Sequence, residues 1–235
     1  MKKIRLMAVL TLLSVCAGAF AQFTNSSSSS INSNNTDGWS SLWIQYNPST
    51  FKYDIEDADN EDFTGISIGY SKAFSISQNT PLFIEAGLGL QYSFYDDDVV
   101  LTAVDDDDYY YVEGDGKISV FSVKIPLNLI YKFDIENSNI SLLPFAGLNL
   151  RYNLSGKLKV EQDDYDYEED YDLFDKKDMG SKDATWKRFQ IGWQIGLNAH
   201  IGQNFILGAS YGQDFSEIAK KCKISTISVN VGYKF

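Results

Sequence analysis

The stretch that decides the fold is residues 188–201, RFQIGWQIGLNAHI. Apolar and polar or glycine residues alternate along all of it, with the apolar set at Phe189, Ile191, Trp193, Ile195, Leu197, Ala199 and Ile201. A period of two is that of a β-strand, whose successive side chains point to opposite faces. The stretch therefore predicts a strand with one apolar and one polar face.

Seven further segments carry the same alternation. They are 42–46, 66–70, 84–94, 121–133, 146–152, 205–211 and 227–235. The connections between the eight segments are alternately long and short: 48–62, 75–81, 96–117, 134–139, 155–185, 202–204 and 213–223. Short turns at one end and long loops at the other are typical of outer-membrane barrels. We predict an all-β, eight-stranded antiparallel up-and-down transmembrane β-barrel, with both termini periplasmic.

The polar face of these segments indicates which side meets lipid. Ten of the 17 glycines fall on it. Glycine weakens a strand and usually marks crowding, which the narrow interior of a small closed barrel supplies. The polar face is therefore expected inside and the apolar face outside. The rival is a secreted soluble sandwich or a lipocalin-like carrier, in which the apolar face would be buried.

The first residues are typical of an export signal. Lys2, Lys3 and Arg5 precede an apolar stretch and a small-x-small site at 19–21, so we predict a signal peptide over 1–21, a flexible Ser/Asn-rich periplasmic leader over 22–38, and the barrel domain over 39–235. A lipoprotein signal ending at Cys16 is the alternative.

Charge and cysteine content exclude other classes. Removing the signal peptide lowers Lys+Arg from 20 to 17 against 32 Asp+Glu, a net charge of −15, which disfavours nucleic-acid binding. Cys222 would then be the sole cysteine, so an intrachain disulfide is excluded.

Aromatic residues cluster at the segment ends, which predicts two interfacial girdles. One comprises Trp39, Phe74, Phe205, Tyr233 and Phe235, and the other comprises Tyr46, Phe63, Tyr92, Phe94, Tyr152, Trp186 and Tyr211.

Four stretches support a resemblance: SVKIPLNLIYKF (122–133), PFAGLNLRY (144–152), KRFQIG (187–192) and the terminal GYKF. Together they resemble the porin-family outer-membrane β-barrel domain of Gram-negative bacteria, which includes PorT-type small barrels. The resemblance implies an outer-membrane location and little about activity. It also implies that Phe235 is the carboxyl-terminal signal read by the outer-membrane assembly machinery. Pro126 lies within a predicted strand and cannot donate to a ladder, so we expect a bulge there.

Residues for catalysis and metal binding are scarce. His200 is the sole histidine and falls near a short turn, so we interpret it as an interior packing residue and predict neither catalysis nor a cofactor. Too few His and Cys are present for a metal site with His and Cys ligands. Lys124, Arg151 and Arg188 fall on the polar face of neighbouring strands and predict an interior basic rim, either paired with loop acids or binding an anion.

The long connections carry most of the acidic charge. Residues 96–117 and 155–185 hold 20 of the 32 acids, together with several tyrosines. We predict a loop contact surface at Asp105, Asp106, Tyr109, Tyr110, Asp164, Tyr165, Tyr167 and Tyr171. Its expected partners are divalent cations, lipopolysaccharide or a protein. A surface-interaction or membrane-integrity role follows, with a secretion-machine component or a narrow porin as alternatives. An eight-stranded barrel is filled by side chains and leaves no wide pore.

Overall fold

The computed structural model describes residues 37–54, 61–77, 80–105, 108–162, 167–182 and 184–235, with side chains described for the same residues except 97–115 and 161–168. The signal peptide and nearly all of the leader therefore lie outside the described residues. Within these ranges the strands are β1 (Trp39–Tyr53), β2 (Glu61–Ser77), β3 (Thr80–Asp105), β4 (Asp108–Tyr131), β5 (Phe133–Asp134), β6 (Ile140–Gln162), β7 (Tyr167–Asp172), β8 (Phe189–Ile201), β9 (Phe205–Asp214) and β10 (Cys222–Lys234). No helix in the described ranges is long and apolar enough to cross a bilayer.

Eight of these strands close into a ring. Each pairs antiparallel with its neighbour along the chain, β4 pairs directly with β6, and β10 returns to pair with β1. The short β5 continues along β6, and β7 adds to the other part of β6 beyond the ring. The predicted eight-stranded antiparallel up-and-down barrel is confirmed.

The two faces of the wall divide as the alternation predicts. Ile44, Ile68 and Leu90 lie side by side on β1, β2 and β3, and each is about half exposed on the outer surface. One residue away, Ser67 and Gln91 also lie side by side, but both are buried in the interior. An apolar outside around a polar inside is the arrangement of a membrane barrel and the reverse of a soluble sandwich.

Glycines on the polar face make room for a large side chain. Gly69 and Gly89 lie opposite each other, and the indole of Trp43 covers both. A Cβ at Gly69 would lie 2.3 Å from Trp43 Cζ2, and one at Gly89 would lie 2.5 Å from Cη2. Crowding in a narrow interior therefore explains these two glycines.

The expected connections over 48–62, 96–117 and 155–185 are too long. Strand β1 continues to Tyr53, and β3 and β4 form a ladder from the pair Asp96 and Lys117 to the pair Asp105 and Asp108. Strand β6 continues to Gln162 and is joined there by β7. The acidic stretches also contain β-formers such as Val99, Val100 and Tyr111, which suit an extended hairpin outside the bilayer. The carboxylates between these residues obscured the strand pattern in the sequence.

The bulge expected at Pro126 is not there. Pro126 lies in register opposite Asn149, and the irregularity of the β4–β6 ladder falls between Phe121 and Ser122. The ring of Pro126 is accommodated because the facing residue on β3 is Gly87, where a Cβ would lie 2.9 Å from Pro126 Cγ. The β3–β4 ladder keeps its register here but has no pair between Ala86–Leu127 and Gly89–Lys124, as expected beside a residue without an N–H.

Candidate functional site

The barrel has two distinct ends. We call the end with Trp39, Phe235 and the short turns the terminal mouth, and the end with the long connections the loop mouth. The backbones of Ser40 and Phe235 exchange hydrogen bonds of 3.2 and 2.9 Å, so the last residue of the chain is held at the terminal mouth. Phe235 itself is exposed.

Lys124 of β4 is buried in the interior, and its hydrogen-bond network connects β4 with β1, β2 and β10. Its ammonium donates to Gln45 Oε1 at 2.6 Å and to Asn47 Oδ1 at 3.4 Å. Asn47 in turn donates to Ser67 Oγ at 2.9 Å and accepts from Ser228 Oγ at 2.8 Å. A buried cation supported by neutral oxygens in this way is a fixed part of the wall packing.

Arg151 lies directly opposite Lys124 in the β4–β6 ladder. Its guanidinium donates from Nη2 to Asp214 Oδ2 at 2.6 Å, and both side chains are less than a tenth exposed. Arg188 is not part of this group, because it donates to the carbonyls of Asn153 and Leu154 and lies over the Phe174 ring. The structure brings together two of the three predicted cations.

Glu85 is a second buried acid, after Asp214, that the sequence reasoning missed. Its carboxylate accepts from Asn128 Nδ2 at 2.9 Å and from Ser71 Oγ at 3.2 Å. Gln194 extends the network by donating to Asn128 Oδ1 at 2.6 Å. A cavity of about 60 Å³ lies between Glu85 and Lys124, and its polar lining and volume suit ordered water. In the sequence, only the position of Glu85 on the polar face of its segment indicated that it lies inside the barrel.

An apolar cluster, the terminal plug, fills the interior near the terminal mouth. It comprises Ala73, Phe83, Ile130, Leu143 and Phe145, with Trp39 packed against it. His200 is buried beside it, with its ring edge-on to Trp39 at 4.9 Å, and its Nδ1 has no hydrogen-bond partner. Trp39 was expected in the girdle and lies inside instead.

A second apolar cluster, the loop plug, fills the interior near the loop mouth. It comprises Phe51, Phe63, Ile218, Cys222 and Ile224, with Tyr53, Tyr95, Trp186 and Ala219 packed against it. Phe63 and Trp186 were also expected in the girdle. The loops carrying Ile218 and Trp186 fold inward because backbone bonds hold them, including Lys187 N to Ile218 O at 2.7 Å. Both mouths of the polar interior are therefore closed by apolar side chains.

The loop plug changes the acidity of the groups it buries. Burial raises the pKa of the Cys222 thiol to about 11. Burial first, and then the charges of Cys222 and Glu61, raise the pKa of Tyr53 to about 12. Tyr53 and Cys222 are the outermost pair of the β1–β10 ladder at this end, and both stay neutral at physiological pH.

Beyond the loop mouth, the extended parts of β3, β4, β6 and β7 form what we call the loop sheet. Asp105 lies at the tip of its β3–β4 hairpin, with Tyr109 and Tyr110 opposite Val104 and Ala103. Tyr167 and Tyr171 lie on β7, opposite Gln162 and Leu158 of β6. Asp106, Asp164 and Tyr165 fall outside the described residues.

The register of the loop sheet aligns four acidic positions in one row. Asp98 on β3 is opposite Asp115 on β4, Asp115 is opposite Glu161 on β6, and Glu161 is opposite Glu168 on β7. We call this set the carboxylate row. Like charges at directly opposite positions destabilise a sheet unless they are neutralised. Among the described side chains no group of three or more His, Cys, Asp or Glu could hold a metal ion.

A closed barrel with an apolar outer wall and a packed polar interior defines a small integral membrane β-barrel. The family model for the outer membrane protein beta-barrel domain matches residues 7–235, and the chain belongs to this family and resides in the outer membrane. The match is to the domain family as a whole, and the PorT-type resemblance stays a prediction. Among curated proteins, none matches this sequence.

The chain is similar to several solved structures. The attachment invasion locus protein Ail of Yersinia pestis is 16% identical, covers 85% of this chain and 99% of its own, and has a TM-score of 0.43. Neisserial surface protein A is 15% identical over 83% of this chain and 97% of its own, with a TM-score of 0.42. The outer membrane enzyme PagL is 11% identical over 81% and 97%, with a TM-score of 0.43.

Proposed function

We propose that this chain is a non-enzymatic surface-contact protein of the outer membrane that acts through its loop sheet, with the loop mouth outside the cell and both termini in the periplasm. The observation that carries the proposal is the carboxylate row, which aligns Asp98, Asp115, Glu161 and Glu168 across four strands. Nothing in the closure of the barrel requires acids there. Concentrated like charge attracts a countercharge and steers a cationic partner.

The partner we propose for the loop sheet is basic, either a divalent cation that bridges to lipid phosphates or a positively charged protein surface. Tyr167 and Tyr171 lie on β7, the strand that carries Glu168, and tyrosine supplies contact area with a polar end at protein interfaces. Divalent cations would compete with a basic protein for the same carboxylates. Binding is therefore expected to respond to both ionic strength and chelators.

Three alternative functions are less well supported: an enzyme, a narrow porin and a component of a secretion machine. An enzyme of this kind needs a nucleophile beside a base, whereas His200 is buried against Trp39 with an unpartnered Nδ1 at the terminal mouth. A narrow porin is disfavoured by the two apolar plugs. A PorT-type role in a secretion machine would also use the outer surface, and it differs by the partners that co-purify.

The test compares wild-type barrel in phosphatidylcholine nanodiscs with the variant D98N/D115N/E161Q/E168Q. The matched control D54N/D175N/D178N/E217Q removes the same charge from exposed acids around the loop mouth. Immobilised polylysine serves as the basic probe, read by surface plasmon resonance with and without Mg²⁺. We expect the row variant to lose most binding, the control to retain most of it, and Mg²⁺ to weaken the wild type. Equal binding by the two variants would show that only net charge matters and would end the proposal.

A second arm identifies the natural partner. Tagged wild type and the row variant are isolated from native outer membranes, and the co-purified proteins and lipids are identified by mass spectrometry. A partner present with wild type and depleted with the row variant supports the loop sheet as the contact surface. A partner retained equally by both would place the contact elsewhere on the barrel.

A further inference from the structure

Two lysines lie side by side on the outer wall near the loop mouth. Lys52 of β1 is directly opposite Lys223 of β10. Their chain neighbours Phe51, Tyr53, Cys222 and Ile224 belong to the loop plug in the interior. Because side chains alternate along a strand, both lysines face outward.

The direct opposition of Lys52 and Lys223 lowers the stability of the sheet unless their charges are neutralised. Like charges directly opposite each other destabilise an antiparallel ladder. The chain carries many more acids than bases, yet neither lysine forms an ion pair with the residues whose side chains are described. On the adjoining strand Asp62 accepts a hydrogen bond from Thr50 at 2.7 Å. The two ammonium groups therefore lack a countercharge from the described part of the wall.

The position of Lys52 and Lys223 along their strands places them at the level of the lipid headgroups. Lys52 Nζ lies 3.5 Å from the hydroxyl of Tyr211, one of the exposed aromatic residues that ring this end. Tyrosine rings take that position at the boundary between acyl chains and headgroups. Directly across from Tyr211 is Ile227, which is exposed on the apolar outer surface below the lysines.

We propose that Lys52, Lys223 and Tyr211 form a binding site for the phosphate group of an outer-leaflet lipid. A phosphate monoester carries most of two negative charges and three strong acceptor oxygens, which matches two ammonium donors and a phenol. The acyl chains of the same lipid would lie along Ile227 and Val229 on the wall below. This site is separate from the carboxylate row and does not depend on the partner proposed for it.

The first test uses wild-type protein in phosphatidylcholine nanodiscs doped with diphosphorylated lipid A or with its dephosphorylated form. Native mass spectrometry after gentle detergent release measures the lipid that stays bound. Chelator is present throughout, so that cation bridges through the carboxylate row cannot contribute. We expect retention of the phosphorylated lipid alone. Equal retention of both lipids, or displacement by millimolar inorganic phosphate, would overturn the assignment to a lipid phosphate.

The second test identifies the residues. K52Q/K223Q is compared with K157Q/K187Q, which removes two exposed lysines from the same mouth. A lysine near a charged membrane surface contributes about fivefold to binding, so loss of both should weaken retention about 30-fold. The control should stay near wild type, and K52R/K223R should retain binding. If the two glutamine variants behave alike, the lysine pair is not the site. Heat-dependent gel mobility verifies that each barrel is folded.

Discussion

The pair Arg151 and Asp214 allows the strongest test of how the interior is held together. Asp214→Asn removes the carboxylate that accepts from Arg151 at 2.6 Å and leaves the buried guanidinium of Arg151 unpaired, directly opposite Lys124. Breaking a buried pair by removing one partner costs about 3–5 kcal/mol, because an uncompensated charge stays in the interior. We expect Asp214→Asn to lower the free energy of unfolding by that amount.

The reverse change should be milder. Arg151→Met leaves Asp214 with Lys124 still nearby as a positive charge, so we expect about half the loss. The double variant R151M/D214N leaves neither charge and should lie within about 1 kcal/mol of wild type. Urea unfolding of barrels refolded into phosphatidylcholine vesicles, followed by tryptophan fluorescence, gives all four values. Single losses below about 1 kcal/mol, or a double variant equal to their sum, would refute the reasoning.

Three further outcomes are expected from the plugs and the crowded wall. The folded protein should give no steady conductance in planar bilayers because apolar clusters close both mouths, and large stable channels would contradict this. Gly69→Ala should destabilise the barrel by about 1–3 kcal/mol through its clash with Trp43, and Trp43→Leu should restore stability in the double variant, as measured by thermal unfolding. At pH 8 maleimide should label Cys222 of the folded barrel about 100-fold more slowly than in urea, because a pKa of about 11 leaves little thiolate. Equal rates would show that the loop plug is open.

Alternation was sufficient to predict the eight strands of the ring and the direction of each face, but not their extensions beyond the loop mouth. The polar or apolar character of one residue and its neighbours fixes the face locally, so Ile44, Ile68 and Leu90 could be placed outside without knowledge of the register. The glycines were equally informative, since crowding in a small barrel is a general property of its radius. What remained hidden was the particular side chain, Trp43, that covers Gly69 and Gly89.

Features that depend on register or loop path could not be predicted. Trp39, Phe63 and Trp186 have girdle-like composition and positions, yet each packs in a plug, because their burial depends on residues far along the chain. The partner of Arg151 is 63 residues away, and no local pattern indicates Asp214. The carboxylate row likewise depends on the registers of three strand pairs, β3–β4, β4–β6 and β6–β7. Phe51 and Tyr53 did alternate with Lys52, and that pattern could have revealed the outward lysine.

The seam between β1 and β10 has a consequence for how the molecule is made. Its final contacts join Ser40, near the beginning of the barrel domain, to Phe235, the last residue of the chain. Until β10 is in place, β1 has only β2 as a neighbour, and its other backbone edge has no partner from this chain. An open edge invites pairing with other chains, so an unfinished molecule is prone to aggregate. A chain without β10 therefore lacks the strand that closes the ring, and the edge of β1 stays open to other chains.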